Sequence, residues 1–178
     1  MMSTLSKRFG VAGRAATVAL GGVLVLGSAA MVTGDSGHAA AASPRLAGTW
    51  RVQVTSKDCT SGVPLLTFPA MLTFARGGTL TGTTAARLFQ AGQRSPDHGV
   101  WTATGRGTYR ALSEAFILFD SPAVPPAPGL VRGVQRITQD IEMTDADDFT
   151  SEAAVKFFDV GGNVALELCA TAAGQRMK

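Results

Sequence analysis

One short stretch of the sequence holds the side chains best suited to acid–base chemistry. Residues 94–101 read RSPDHGVW, and His98 within them is the second of only two histidines in the chain. A histidine paired with a carboxylate can act as a general base, as in an isomerase, a cyclase or a hydrolase. Asp97 is adjacent in sequence, but neighbouring residues of a strand face opposite ways, so Asp120 and Glu142 are the alternative partners. These four residues are the catalytic candidates, and the sequence alone confirms none of them.

Motifs for other kinds of chemistry are missing from the sequence. It contains no Gly-x-Ser-x-Gly, no His-x-x-x-His and no phosphate-binding glycine loop. The acidic run Asp145–Asp148 carries oxygen ligands that suit Ca²⁺, but it lacks the spacing and the distal glutamate of an EF-hand. We interpret this run as a solvated turn, and the sequence predicts neither a metal site nor a cofactor.

A mostly apolar set of residues with a few uncharged polar ones predicts a small-molecule site. Pockets for small ligands usually have this composition, and strand alternation turns these side chains inward. The candidate ligand-binding residues are Phe74, Tyr109, Gln135, Ile137, Gln139, Ser151 and Phe157. The same residues also fit a filled core in which the glutamines hydrogen-bond each other, and the sequence leaves both interpretations open.

The elements that must position these residues begin after a leader. Three basic residues near the N-terminus, the apolar segment Ala15–Val32 and the small-residue run Ala39–Ala42 have the order of a secretory signal peptide. We expect residues 1–42 to be removed, which leaves residues 43–178 as a single β-barrel domain without stable membrane insertion. The protein would then be secreted or reside in the periplasm or cell envelope.

Removal of the leader also changes the charge of the chain. Three of the sixteen basic residues and one of the thirteen acidic residues lie in the leader, so the net charge falls from +3 to 13 minus 12, or +1. The remainder has no basic run and no basic–aromatic pattern, so we expect no nucleic-acid partner. Its length suits one domain with one core. We expect a monomer whose partner is a small hydrophobic ligand.

Short apolar runs separated by glycine and proline predict an all-β fold, an antiparallel up-and-down barrel of about eight strands. A β-sandwich or an open barrel is the alternative. Two longer connections, Arg87–Asp97 and Ser121–Gly129, are candidates for lids. The predicted strands are Gly48–Lys57, Leu66–Arg76, Thr79–Ala85, His98–Thr104, Gly107–Asp120, Val131–Met143, Phe149–Asp159 and Asn163–Ala172.

The two cysteines predict how the first and last strands pair. In an exported chain, Cys59 and Cys169 are expected to form one disulfide. If the two strands are antiparallel neighbours, the register that places Cys59 opposite Cys169 also places Val52 opposite Arg176. Both cysteines then lie on the outer face, and Arg176 points inward beside Trp50.

These residues resemble the signature of the lipocalins, which belong to the calycin group of β-barrels. Gly48-Thr49-Trp50 is similar to the Gly-x-Trp that opens their first strand, and Arg176 to the arginine of their last strand that packs across the tryptophan. The segment TDADDF, residues 144–149, is loosely similar to their Thr-Asp-Tyr element. The resemblance implies a ligand-holding barrel with structural roles for Trp50 and Arg176, and a cation over an indole contributes about 0.5–2 kcal/mol.

Most of residues 43–178 also resembles small exported bacterial proteins of unassigned function, through the segments GTW, FARGGTL, RSPDHGVW, FFD and CATAAGQR. That resemblance implies no activity. We therefore expect an exported, non-catalytic, lipocalin-like protein that binds a small apolar or amphipathic molecule in its barrel. The alternatives are a small β-barrel enzyme that uses His98 with a carboxylate, and a structural cell-envelope module with a filled core.

Overall fold

The computed structural model describes residues 45–125 and 128–178, and every regular element in them is a β-strand. The predicted leader, residues 1–42, lies outside the described residues, so the division of the chain there stays a prediction. Within the described ranges there is no helix with the length and apolarity needed to cross a membrane. The strands are β1 Gly48–Lys57, β2 Pro64–Phe74, β3 Thr79–Thr84, β4 Asp97–Gly105, β5 Thr108–Ile117, β6 Gly133–Met143, β7 Asp148–Asp159 and β8 Val164–Arg176.

The eight strands close into one barrel. Each strand pairs antiparallel with the next in sequence, and β8 pairs antiparallel with β1. The predicted eight-stranded antiparallel up-and-down barrel is therefore confirmed, and it fits a lipocalin-like fold. The alternative of a β-sandwich is wrong. Strand β5 ends at Ile117, earlier than predicted, and the carboxylate of Asp120 in the following loop accepts the backbone N–H of Arg132 at 2.6 Å. Strand β8 continues to Arg176, past the predicted end at Ala172, because its last residues pair with β1.

The order of the strands gives the barrel two different ends. The β1–β2, β3–β4, β5–β6 and β7–β8 connections lie at one end, which we call the open end. The short β2–β3, β4–β5 and β6–β7 turns lie at the other, the closed end, together with the start of β1 and the end of β8. Both loops predicted as lids therefore lie at the open end.

Aromatic side chains fill the closed end. The ring of Trp50 lies 5.0 Å from that of Phe149, and Phe74 lies 6.0 Å from Trp101 and 6.4 Å from Phe149, all edge to face. Each such pair contributes about 0.5–1.5 kcal/mol beyond the burial of its surface. The indole N–H of Trp50 donates to the carbonyl of Leu46 at 2.9 Å, so the buried polar atom is satisfied. This half of the barrel is a solid floor.

The side chain of Arg176 packs against the floor at the closed end of the barrel, and Gly48 leaves space for it. The guanidinium lies 4.2 Å from the centroid of the Trp50 ring and donates to the carbonyls of Ala47 at 2.8 Å and of Ala146 at 3.1 Å. A Cβ on Gly48 would clash with Nη1 of Arg176, and the backbone there has φ of +144°. Only glycine meets both conditions without strain, which gives the Gly-x-Trp pattern a physical reason in this chain.

Charged groups also tie the β6–β7 turn to the end of the chain. The carboxylate of Asp147 lies 2.9 Å from Nζ of Lys178 and 3.2 Å from Nε of Arg176. The hydrogen bond from Lys178 is the main reason that the pKa of Asp147 lies below its ordinary value, and Arg176 adds to the effect. Because Lys178 is well exposed, solvent screening keeps the net energy of this pair small.

The β1–β8 register differs from the prediction by two residues. Trp50, and not Val52, lies opposite Arg176. The predicted disulfide between Cys59 and Cys169 is confirmed, with the two Cα atoms 5.0 Å apart. The predicted register is wrong because Cys59 lies beyond the end of β1, where it reaches its partner without being directly opposite in the ladder. A shift of two residues keeps every side chain on its expected face.

Candidate ligand-binding cavity

A cavity of about 100 Å³ lies between the aromatic floor and the open-end loops. Alternate residues of the strands face it, as the period of two requires. Its wall is mainly apolar, with Val52, Val54, Phe68, Leu72, Leu80, Ile137, Val155, Phe157 and Leu168 among its members. The interior of the barrel is therefore solid at one end and hollow toward the other.

Small side chains on two neighbouring strands leave this space. Ala153 of β7 pairs with Ala170 of β8, and Ser151 pairs with Ala172 one step closer to the floor. All four residues line the cavity. Because neither strand supplies a large side chain at this level, the opposite wall has nothing to pack against, and a void remains.

The uncharged polar groups of the cavity have separate partners. The side-chain amide of Gln139 donates to the hydroxyl of Ser151 at 2.7 Å. The side-chain oxygen of Gln135 accepts from Nε of Arg94 at 2.5 Å. The alternative of a filled core in which the two glutamines hydrogen-bond each other therefore does not describe this barrel. Each fixes a different part of the wall.

A buried ion pair is the strongest polar feature of the cavity. Arg94 donates from Nη2 to the carboxylate of Asp97, and each side chain is only 6% exposed. Both residues line the cavity. Gly82 lies opposite Asp97 in the β3–β4 ladder, and a Cβ there would lie 2.5 Å from Cδ2 of Leu72 and 3.1 Å from the Asp97 carboxylate. Because Gly82 has no side chain, the cavity wall has space for the carboxylate of Asp97.

The β3–β4 loop carries Arg94 into the barrel because it is fixed to the end of β5. The N–H of Ser95 donates to the carbonyl of Phe116 at 3.0 Å, and the N–H of Leu118 donates to the carbonyl of Gln93 at 2.8 Å. Arg94 itself forms an isolated antiparallel bridge at this edge. These contacts act like a short extra strand and turn the arginine side chain inward.

The same loop covers the cavity, and the described residues of the other long loop do not line it. Leu88 and Phe89 line the cavity from the open end, and the guanidinium carbon of Arg94 lies 5.3 Å from the centroid of the Phe89 ring. None of the described residues of the predicted second lid, Ser121–Gly129, is part of the lining. Of the described residues of the two candidate lids, only those of the first line the cavity. Leu130, which follows the second loop, packs in an apolar cluster with Ile117 and Phe157.

The structure places the seven predicted ligand-binding residues in two groups. The residues that line the cavity are Gln135, Ile137, Gln139, Ser151 and Phe157. Phe74 and Tyr109 instead belong to the closed-end floor, where both pack against Trp101. Their placement in the site is corrected because strand alternation predicts the face of a side chain but not its height along the barrel.

The structure does not bring the catalytic candidates together. His98 is exposed on the outer face of β4, opposite Glu114 of β5, whereas Asp97 faces inward. Asp120 is exposed in the β5–β6 loop, and Glu142 is exposed on the outer face of β6. Neither lines the cavity. The proposed pairing of His98 with Asp97, Asp120 or Glu142 therefore has no geometric basis among the described residues.

Sequence reasoning missed Arg94, although a signal for it existed. Asp97 has inward parity at the start of a strand, and a carboxylate that faces a core needs a cation nearby. Arg94, three residues earlier, is such a cation. For metals, no group of three His, Cys, Asp or Glu side chains in ranges 45–125 and 128–178 is arranged to hold an ion.

No protein-family model matches the chain, and no curated protein sequence matches it. Three solved structures cover 75% of the chain. One is EF1p2_mFAP2b bound to DFHBI, with 18% sequence identity, 94% of that chain covered and a TM-score of 0.46. Another is the S-type phycobiliprotein lyase CPES from Guillardia theta, with 9% identity, 89% of that chain covered and a TM-score of 0.40. The third is Rv2717c from M. tuberculosis, with 12% identity, 94% of that chain covered and a TM-score of 0.37. Similarity at this level does not identify a function.

Proposed function

We propose that the protein binds a small apolar or amphipathic molecule inside the barrel and carries out no covalent chemistry on it. The observation that carries the proposal is the mainly apolar cavity inside the barrel with its few fixed polar groups, Gln135, Gln139 and the Arg94–Asp97 pair. A structural module with a filled core would leave no such space. The enzyme alternative loses its support because His98 lies on the outer face.

The size of the cavity limits the ligand. A cavity of about 150 Å³ lined by apolar residues holds benzene, and this one measures about 100 Å³. Benzene has six non-hydrogen atoms, so by proportion about four non-hydrogen atoms fit in this space, and the rest of a longer chain would extend toward the open end. The molecule, or the part of it held in the barrel, is therefore a short chain or a small ring.

We also propose that the protein works in an oxidising compartment, as a secreted, periplasmic or cell-envelope protein. The Cys59–Cys169 disulfide supports this location because such bonds persist outside the reducing cytosol. The predicted signal peptide is the second support. N-terminal sequencing of the protein purified from its own host tests it, and a mature chain that still starts at residue 1 would contradict export with cleavage.

Binding is tested by thermal unfolding in a series of linear alcohols from propan-1-ol to hexan-1-ol. A ligand that binds only the folded state at ten times its Kd stabilises it by about 1.4 kcal/mol. Alcohols also weaken folding in general, so the measurement needs a variant with the cavity filled. Ala153→Leu serves because Ala153 lines the cavity opposite Ala170.

The expected result is that the alcohols with four or five carbons raise the melting temperature of the wild type relative to the variant. Native mass spectrometry of the protein from its own host should, in addition, detect a small co-purifying molecule that Ala153→Leu lacks. If every alcohol shifts the wild type and the variant by the same amount, the cavity does not bind this class of molecule and the proposal is refuted.

A further inference from the structure

One corner of the cavity combines all its charged groups with an unused hydroxyl. Arg94, Asp97, Gln135 and Thr84 all line the cavity. Thr84 lies two residues along β3 from Gly82, which is opposite Asp97, and Thr84 and Arg94 also share a second, surface pocket. Thr84 has the inward parity of Leu80, four residues earlier on β3. Its hydroxyl oxygen is buried and has no hydrogen-bond partner among the residues that the structure describes. A buried polar atom without a partner is costly, so this corner suits a polar group of a bound molecule.

The guanidinium of Arg94 also retains donors for a ligand. It has five N–H donors, and three of its hydrogen bonds go to Gln135, the carbonyl of Ser95 and Asp97. The corner therefore offers N–H donors from Arg94 and a hydroxyl from Thr84 that both donates and accepts. A ligand group such as an alcohol or a primary amide can use both.

The charge of the corner decides what kind of head group it accepts. Arg94 and Asp97 neutralise each other, and both side chains are almost fully buried. A carboxylate or an ammonium group placed beside this buried pair would bring a net charge into a mainly apolar interior with no counter-ion, and that is strongly unfavourable. A neutral hydrogen-bonding group would bring none.

We propose that the corner formed by Arg94, Asp97 and Thr84 binds the uncharged polar head group of the ligand and rejects its carboxylate and ammonium counterparts. This inference rests on the proposed function, because it names the chemical class of the molecule in the same cavity. The ion pair sets the selectivity: each partner cancels the charge that would otherwise attract an ionic ligand.

The test uses three molecules with the same chain, pentan-1-ol, pentanoate and pentylammonium, and follows their binding by NMR chemical shifts of backbone amides around the cavity. In the wild type, pentan-1-ol should bind at least tenfold more tightly than either ion. Asp97→Asn leaves the charge of Arg94 unbalanced, so the affinity for pentanoate should rise at least tenfold. Arg94→Gln leaves the charge of Asp97 unbalanced, so the affinity for pentylammonium should rise instead.

Matched controls exist on the outside of the barrel. Arg110 and Asp140 form an ion pair at 2.8 Å whose side chains are about 60% exposed. Asp140→Asn and Arg110→Gln make the same changes of charge without altering the cavity, so the order of the three molecules should stay that of the wild type. A change of order in these controls would mean that overall charge, and not the corner, sets selectivity.

Thr84→Val keeps the test decisive if the charged variants do not fold. This change removes the unpartnered hydroxyl and keeps the shape of the side chain, so the protein should fold at least as stably as the wild type. Its affinity for pentan-1-ol should fall about fivefold, the equivalent of one lost hydrogen bond. Unchanged affinity in Thr84→Val overturns the placement of the head group at this corner.

The failure of this inference differs from the failure of the proposed function. If pentan-1-ol binds the wild type and not Ala153→Leu, but the variants at the corner keep the wild-type order of ligands, the cavity binds molecules and the corner does not select them. If pentan-1-ol perturbs the amides around the cavity no more in the wild type than in Ala153→Leu, both the binding function and the head-group selectivity are refuted.

Discussion

Filling the cavity should make the protein more stable while it removes binding. Leucine in place of Ala153 adds three carbon atoms at a position where the facing residue, Ala170, is also small. A well-packed core of the kind expected for a structural module would be strained by this change, at a cost of about 1–3 kcal/mol. A barrel with a real void should gain stability instead, so the sign of the change in the free energy of unfolding distinguishes a hollow barrel from a filled one.

The magnitude follows from the volume of the void. At about 24 cal/mol per Å³, a cavity of about 100 Å³ corresponds to about 2.4 kcal/mol, and burial of three methylene equivalents at about 0.8 kcal/mol each gives the same figure. Fixing the leucine rotamer costs about 0.5–1 kcal/mol. The net gain is about 1.5 kcal/mol, or about 5 °C in the melting temperature for a domain of this size.

The assay is denaturant and thermal unfolding of Ala153→Leu beside a control in which leucine replaces an outer-face alanine. Ala173 is that control, since it is exposed and lies between Gln53 and Thr150 of the neighbouring strands. The control should change the free energy of unfolding by less than about 0.5 kcal/mol. A loss of stability in Ala153→Leu that the control does not show would refute the void and the argument built on it.

Three further substitutions test the parts of the barrel outside the cavity. Gly48→Ala should destabilise the protein by about 1–3 kcal/mol, because its new methyl group meets the Arg176 guanidinium and its backbone has positive φ. Replacing Cys59 and Cys169 together by alanine should lower the free energy of unfolding by up to about 4–5 kcal/mol, since the bond closes a loop of 110 residues. His98→Ala should alter neither stability nor the response to butan-1-ol, because the side chain is exposed on the outer face.

Each of these three predictions has its own control and its own contrary result. Gly77→Ala, at a turn glycine with nothing within 4 Å, should be nearly neutral, and equal effects at both glycines would remove the role given to the Arg176 contact. A reducing agent should lower the wild-type melting temperature but leave the double cysteine variant unchanged; an unaffected wild type would argue against a stabilising disulfide. A loss of catalytic turnover on any substrate in His98→Ala would restore the enzyme alternative.

The period of two in the sequence was enough to predict the strands and their inward faces. In β6, for example, Arg136, Asp140 and Glu142 alternate with Gln135, Ile137, Gln139 and Ile141, and the structure exposes the first set. Charged side chains must stay in water unless they are paired, so this alternation has one stable orientation. The same rule gave the correct parity for Trp50 and Arg176 even though the register was two residues off.

The candidate site was harder to predict for two reasons. Its residues are those whose side chains lie at one level along the barrel axis, and one of them, Arg94, comes from a loop. Phe74 and Gln135 both face inward, yet one packs in the floor and the other lines the cavity. The stagger of the strands decides that difference, and no local pattern records it. Arg94 lies outside any strand, and only the hydrogen bonds between its loop and β5 turn its side chain into the barrel.

The sequence by itself determined the strands, their inner and outer faces and the pair of cysteines, because each depends on short-range periodicity or on residue type. Tertiary structure decided where the barrel is solid and where it is hollow, since that depends on which small residues of β7 and β8 meet across the sheet. It also brought Arg94 of the β3–β4 loop to the inward-facing carboxylate of Asp97. The chemistry of the cavity therefore comes from contacts that exist only once the barrel has closed.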